Sequence, residues 1–358
     1  MIDRLDEATK APPPSRHRKR LGLSRFDRMP DGVPLRASSG PMLHRFRIAG
    51  GGVTPLGWPP EPAGNAEGWE WVHLDRQSSE AETYLRDTLA LPEQVVEGLL
   101  DTETRPRLTR TREGLLLILR GINFNAGASP ADMVALRLWI TPERVVTLRR
   151  SPILAVHALR EAYRGGEGPR TVGTFLVDLI EHLTDRMDEV VSDLMEEIDA
   201  LEERVVEHEE NDDTPRRLSE VRRRLVRLRR YLAPQRDALA ALQRSAGKLM
   251  DDSDMLDLSE SAEQCQRYVE EIESARERAI ILQEELSTRA DERVSRHSYM
   301  LSVAAGIFLP ITFLTGLLGI NVGGIPGGGD PNAFWVVVAL CVGIAVGTLG
   351  VFFGRRWF

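Results

Sequence analysis

The chain has 358 residues, a formal net charge of −8 and 42% hydrophobic residues. Two cysteines, Cys265 and Cys341, exclude a disulfide framework and a cysteine-based zinc fold, and they fit a reducing cytoplasm. No Ser/His/Asp or Cys/His arrangement stands out, and no His-x-x-x-His pair or phosphate-cradling Gly loop between strand and helix, so an enzyme is not expected.

Residues 1–41 read as a disordered tail. They hold the run Pro12–Pro14, a basic cluster (Arg16, Arg18, Lys19, Arg20) and little apolar content. Met1–Lys10 has no apolar core segment, so no signal peptide is expected there. The basic cluster reads as a solvated tail rather than a lipid or nucleic-acid contact, and no nucleic-acid partner is expected.

Residues 42–165 predict a cytoplasmic α/β domain. Met42–Ile48, Trp69–Leu74, Leu115–Arg120, Val134–Ile140 and Arg144–Leu148 are short apolar or alternating runs between turn-formers, and they predict strands. Glu80–Leu89 and Glu93–Asp101 predict helices.

Residues 166–258 predict a helical hairpin. Phe175, Leu179, Leu183, Met187, Val190, Leu194, Ile198 and Leu201 recur at helical spacing. Acidic residues dominate from Glu196 to Asp213, Thr214-Pro215 breaks the pattern, and the next helix opens with Arg216, Arg217, Arg222, Arg223 and Arg224. Charge pairing across the hairpin is the expectation, and a cation-gathering acidic tip is the alternative. Asp251–Leu258 reads as a break, with Ser259 or Ser261 capping the next helix.

From Glu260 no strong breaker appears until Pro310. A helix from Glu260 to Ile320 would run about 90 Å and would need partners, most economically copies of itself. Its parts are a stalk over 259–300 and a membrane span over 301–320. A loop over 321–332, a second span over 333–353 and a basic tail over 354–358 follow. Leu301–Ile320 and Ala333–Phe353 carry no charge, and each is about 20 residues, enough to cross a bilayer. Arg289, Arg293 and Arg296 precede the first span, Arg355 and Arg356 follow the second, and the loop has no Lys or Arg. That asymmetry puts both termini in the cytoplasm.

One face of the long helix is polar. It reads Glu277, Ile281, Glu284, Thr288, Asp291, Ser295, Ser298, Ser302, Ala305, Leu309, Thr312, Gly316. Coiled-coil seams carry large apolar residues. Facing a symmetry axis, this one would line a wet path with carboxylates at its cytoplasmic end, which attracts cations. An ordinary solvated face with hydroxyls aiding membrane packing is the alternative. Leu301 and Leu309 would narrow such a path and gate it by dewetting. Asn321 sets a carboxamide at the outer mouth, and Asp330 adds a loop carboxylate. A membrane-anchored scaffold or signalling protein is the reading from another class.

Phe308-Leu309-Pro310-Ile311-Thr312-Phe313-Leu314-Thr315-Gly316 leads to Gly319-Ile320-Asn321, and a basic aromatic tail closes the chain. With two C-terminal spans, this resembles the CorA superfamily of divalent-cation transporters. Ile320 takes the place of the family's usual Met. Together with Gly323-Gly324-Ile325-Pro326-Gly327, Trp71-Val72-His73-Leu74-Asp75 and Arg105–Arg110, it looks like the ZntB zinc-transporter branch. The resemblance covers roughly 42–358. It implies a homopentamer in the bacterial inner membrane, with five long helices lining the pore. Gly319, Ile320 and Asn321 would form the entrance filter. Leu301, Leu309 and Thr312 match the family's pore-lining positions and Glu284 an acidic position lower in the stalk; from the polar face itself, Ser295, Ser298, Ser302 and Gly316 would join the path, and Glu277 and Asp291 would attract cations below it. No resident cofactor is expected: Zn²⁺ is the implied cargo, with Mg²⁺, Co²⁺ or Ni²⁺ as alternatives, and the branch further implies proton coupling.

Overall fold

The computed structural model describes residues 40–58, 67–207, 213–320 and 331–354. The readings of the tail before residue 40, the tip 208–212, Asn321, Asp330 and the last four residues lie outside that set. Contacts divide the chain into two compact units, one ending at Ile280 and the other beginning at Ile281.

The first unit is built on a seven-stranded mixed sheet. Its strands are β1 (Met42–Ala49), β2 (Gly52–Pro55), β3 (Trp69–Asp75), β4 (Arg107–Arg110), β5 (Leu115–Gly121), β6 (Val134–Ile140) and β7 (Arg144–Arg149), in the order β2-β1-β3-β7-β6-β5-β4. Only β3 and β7 run parallel, with Trp71 beside Val145 and Leu74 beside Leu148. They lie at the centre, and every residue of β3 is buried. The sequence reading omitted β2 and β4. Both are four-residue edge strands without an apolar run, and short polar edges discourage pairing with other chains.

The two faces of the sheet differ. Val72, Leu74, Val146 and Leu148 pack under Tyr84, Leu85, Val95, Val96 and Leu99. Those residues come from a short helical segment, α1 (Ala81–Thr83) continuing as a π turn over Tyr84–Thr88, and from α2 (Glu93–Leu100). Alternation sends Trp71 and His73 to the opposite face. There Trp71 meets Tyr163 of α3 (Leu154–Arg164) and Phe175 of α4 (Val172–Val206), with ring centroids 5.6 and 4.9 Å away.

His44 and His73 stack at 4.6 Å on this second face, and His73 Nδ1 lies 2.7 Å from Thr147 Oγ1. Burial holds both imidazoles well below their usual pKa, reinforced by Arg149 and Arg160. A lowered folded-state pKa means that the unfolded chain takes up protons first. Stability from this pair is therefore full above the unfolded value near 6.5 and falls as pH drops below it, by up to about 1.4 kcal/mol per pH unit per histidine. The thermal midpoint should fall between pH 7.5 and 5.5. A His44→Gln/His73→Gln variant should flatten that dependence.

Three long helices complete the unit: α4, α5 (Thr214–Ser245) and the first part of α6 (Asp252–Leu318). The Thr171 hydroxyl caps α4 by accepting from Thr174 N at 3.0 Å. Pro215 opens α5, where a missing N–H costs nothing. Charge pairing between α4 and α5 occurs at Arg224–Glu197, but the charges also reach elsewhere. Arg229 of α5 pairs with Glu273 of α6, Arg278 of α6 with Asp199 and Glu202 of α4, and Arg227 with the loop residue Asp132. The acidic stripe is thus shared among three helices.

The start of α6 corrects the sequence reading, which put a break over 251–258 and a cap at Ser259 or Ser261. Asp251 accepts from Asp254 N at 2.8 Å, and Asp254 accepts in return from Asp251 N at 3.3 Å. This reciprocal box caps the helix at Asp251. Ser261 instead lies buried within it. Asp254 also accepts from the Thr174 hydroxyl at 3.1 Å, beside Gly173, where a Cβ would strike its carboxylate.

The second unit contains the rest of α6 and α7 (Ala333–Gly354). Each carries a stretch long and apolar enough to cross a membrane, with mean hydropathy 2.0 and 2.4.

Candidate functional site

Of the expected stalk residues, Glu277 belongs to the first unit and is exposed on α6, while Ala275 and Ala279 on the same helix are buried. In the second unit, Glu284, Asp291, Ser295, Ser298, Ser302, Thr312 and Gly316 are all exposed. Leu301 and Leu309 are 73% and 69% exposed, and Phe308 and Phe313 are similarly bare. A lone chain thus presents hydroxyls and large apolar groups outward along one apolar helix. Such a surface requires lipid, further copies of the chain, or both.

Three hydroxyls of α6 donate to its own backbone. Thr288 donates to Glu284 O at 3.0 Å, Ser302 to Ser298 O at 2.9 Å, and Thr315 to Ile311 O at 2.9 Å. Those protons are committed to the helix backbone, which leaves the exposed oxygens of Thr288 and Ser302 as acceptors on the polar face. An outward row of acceptors suits a cation's water shell and repels anions. Among the described residues no group of three or more His, Cys, Asp and Glu is placed to hold a metal ion.

The C-terminal end of α6 closes at Leu318, where Gly319 N donates to Thr315 O at 2.9 Å. Ile320 is 47% exposed. Asn321, expected to complete the filter, and Asp330 fall outside the described residues.

Gly306, which the sequence analysis did not single out, lies where α6 meets α7. A Cβ there would lie 3.1 Å from Phe352 and 3.6 Å from Thr348, both on α7. Tyr299 meets the same Phe352 ring edge-on at 6.1 Å. Gly306 therefore lets the two helices approach closely, as small residues do in membranes. The small run Ala304-Ala305-Gly306 was the available signal. Gly306→Leu should separate the pair at a cost of about 1–3 kcal/mol, while Gly306→Ala should be milder. The thermal midpoint of the detergent-solubilised protein tests this.

Comparison with known proteins places this architecture. A divalent cation transporter, CmaX, of Pseudomonas aeruginosa is 43% identical over 288 residues, covering 80% of this chain and 87% of that protein. The zinc transport protein ZntB of Pectobacterium atrosepticum is 36% identical over 319 residues, covering 88% and 95%. The solved structure of full-length CmaX superposes with a TM-score of 0.76 at 39% identity, covering 90% of this chain and 99% of that one. The family described as CorA-like Mg²⁺ transporter protein matches residues 66–356, from before the central sheet strand to beyond the second apolar helix, and the chain belongs to that family.

Proposed function

We propose that this chain transports divalent cations, with Zn²⁺ as the cargo, across the inner membrane as a homopentamer. Both termini lie in the cytoplasm in this reading. The polar face of α6 lines the axial path, and Gly319, Ile320 and Asn321 form its outer mouth. The observation that carries the proposal is the exposed row of hydroxyl oxygens and carboxylates on a helix otherwise apolar enough for the bilayer. The names of the CmaX and ZntB relatives support the same reading.

Zn²⁺ is bound tightly by Cys and His, and this face supplies neither. Weak holding suits transport. Hydroxyl and carboxamide oxygens contact the water shell of the ion and release it, whereas a tight site would stall it. An inside-negative potential adds about 4.6 kcal/mol per 100 mV for a divalent ion, twice the single-charge value. Proton coupling is supported by the family resemblance alone. Mg²⁺, Co²⁺ or Ni²⁺ transport by the same architecture is the second reading, favoured by a relative named only for divalent cations.

Zn²⁺ uptake into proteoliposomes loaded with a zinc-sensitive dye tests the proposal. Uptake should saturate, rise with an imposed pH gradient and withstand excess Mg²⁺. Vesicles that admit Mg²⁺ or Co²⁺ but not Zn²⁺ would transfer the assignment to the second reading. Vesicles that admit no divalent ion would point to a membrane anchor.

A further inference from the structure

The parallel strands β3 and β7 both end at one edge of the first unit, where Arg76 N donates to Arg149 O at 3.0 Å. The chain then leaves them in opposite directions. After β3 it enters α1 and α2, which pack on the face of Val72 and Leu74. After β7 it enters α3, whose Tyr163 packs on the face of Trp71. In an open α/β sheet, diverging connections at the carboxyl ends of adjacent parallel strands leave a crevice, and ligands bind in such crevices.

Here the crevice has a volume of about 500 Å³, and its lining includes Arg76, Gln77, Ser78, Ser79, Glu82 and Arg150. That is the size of a small-molecule site. The charges around it do not balance. Asp75, at the end of β3, is engaged below the crevice: it accepts from Gln77 N at 2.9 Å and interacts with Arg149. Glu82 at the rim pairs with Arg86 at 2.9 Å, and Asp101 pairs with Arg107 at 3.2 Å. Among the described residues no carboxylate forms an ion pair with Arg76 or Arg150. Both arginines line the crevice, and the Arg76 guanidinium is held below its ordinary pKa by burial and by repulsion from Arg150, which the attraction of Asp101 only partly offsets. The Arg76 side chain donates once, to Leu100 O at 2.5 Å, and its buried Nε has no acceptor.

We propose that this crevice binds a small phosphate-bearing anion between Arg76 and Arg150. A phosphate group held in the crevice would neutralise both guanidinium groups that line it. Its oxygens match the forked donors of arginine. The lining holds no aromatic ring on which a nucleobase could stack, so the ligand is inorganic phosphate or a compact phosphorylated metabolite. The site belongs to the cytoplasmic sheet and does not depend on which cation is transported.

The test is isothermal titration of the full-length protein in detergent, with EDTA present and ionic strength fixed. The titrants are sodium phosphate, glucose 6-phosphate and sodium chloride. Phosphate should bind saturably, once per chain, and chloride should not. Arg150→Gln should weaken binding at least tenfold, about 1.4 kcal/mol, with an unchanged thermal midpoint, because its side chain holds no carbonyl or carboxylate in the fold. Arg150→Glu should abolish binding. Tighter binding of glucose 6-phosphate than of phosphate would assign the site to phosphorylated metabolites, and the reverse to free phosphate. Absence of saturable phosphate binding, equal binding of chloride, or unchanged affinity in Arg150→Gln would overturn the proposal.

Discussion

Replacing Asn321 with alanine is expected to lower Zn²⁺ uptake at least tenfold without changing the thermal midpoint of the protein. The reasoning starts at the end of α6. Gly319 N turns back to Thr315 O and Ile320 is left exposed, and in the proposed reading Asn321 follows them as the last residue of the mouth. A carboxamide there offers one neutral oxygen per chain to the water shell of an approaching ion. Each such hydrogen bond contributes about 0.5–1.5 kcal/mol. In the proposed pentamer five are lost together, which exceeds the roughly 1.4 kcal/mol that corresponds to tenfold. Asn321→Gln keeps the oxygen and should retain more uptake than alanine. Asn321→Asp should bind the ion more tightly and slow its release. Wild-type uptake by the alanine variant would remove the Gly-Ile-Asn mouth from the mechanism while leaving the fold in place.

Much of this architecture was legible in the sequence because its dominant signals are local. The runs that gave β1, β3, β5, β6 and β7 are apolar because the central strands are covered on both faces. The helical spacing from Phe175 to Leu201 is visible because one side of α4 is buried along its length. What escaped has physical reasons. The edge strands β2 and β4 bury little, so they leave no apolar trace. The start of α6 depends on the Asp251–Asp254 box, and a run of aspartates resembles a loop until its backbone partners are known.

The candidate site was partly legible for the same reason. Helical periodicity alone aligned Glu284, Ser295, Ser302 and Thr312, and the structure places all four on exposed α6 surface. The direction of the hydroxyl protons was not legible, because it depends on which backbone carbonyl lies beneath each residue. The Arg76–Arg150 crevice was not legible either. Its two cations are far apart in sequence and meet only because β3 and β7 are parallel neighbours.

The second large effect is expected at Glu70. This carboxylate lies in β3, only 3% exposed, and pairs with Arg45 of β1 and with Arg144 of β7, the latter at 3.2 Å. Arg45 is itself 6% exposed. Removing a carboxylate from such a group leaves a buried guanidinium without compensation, which costs about 3–5 kcal/mol. Glu70→Ala should therefore lower the thermal midpoint of the full-length protein sharply. A buried ion pair can nevertheless be replaced as a whole, because removing both charges also removes their desolvation penalty. The double variant Arg45→Met/Glu70→Leu should recover most of the loss, leaving only the weaker interaction of the half-buried Arg144. Intrinsic tryptophan fluorescence suits the measurement, since Trp69 and Trp71 flank Glu70 in the same strand. If the double variant is no more stable than Glu70→Ala, the loss comes from packing around residue 70 and not from an unpaired charge.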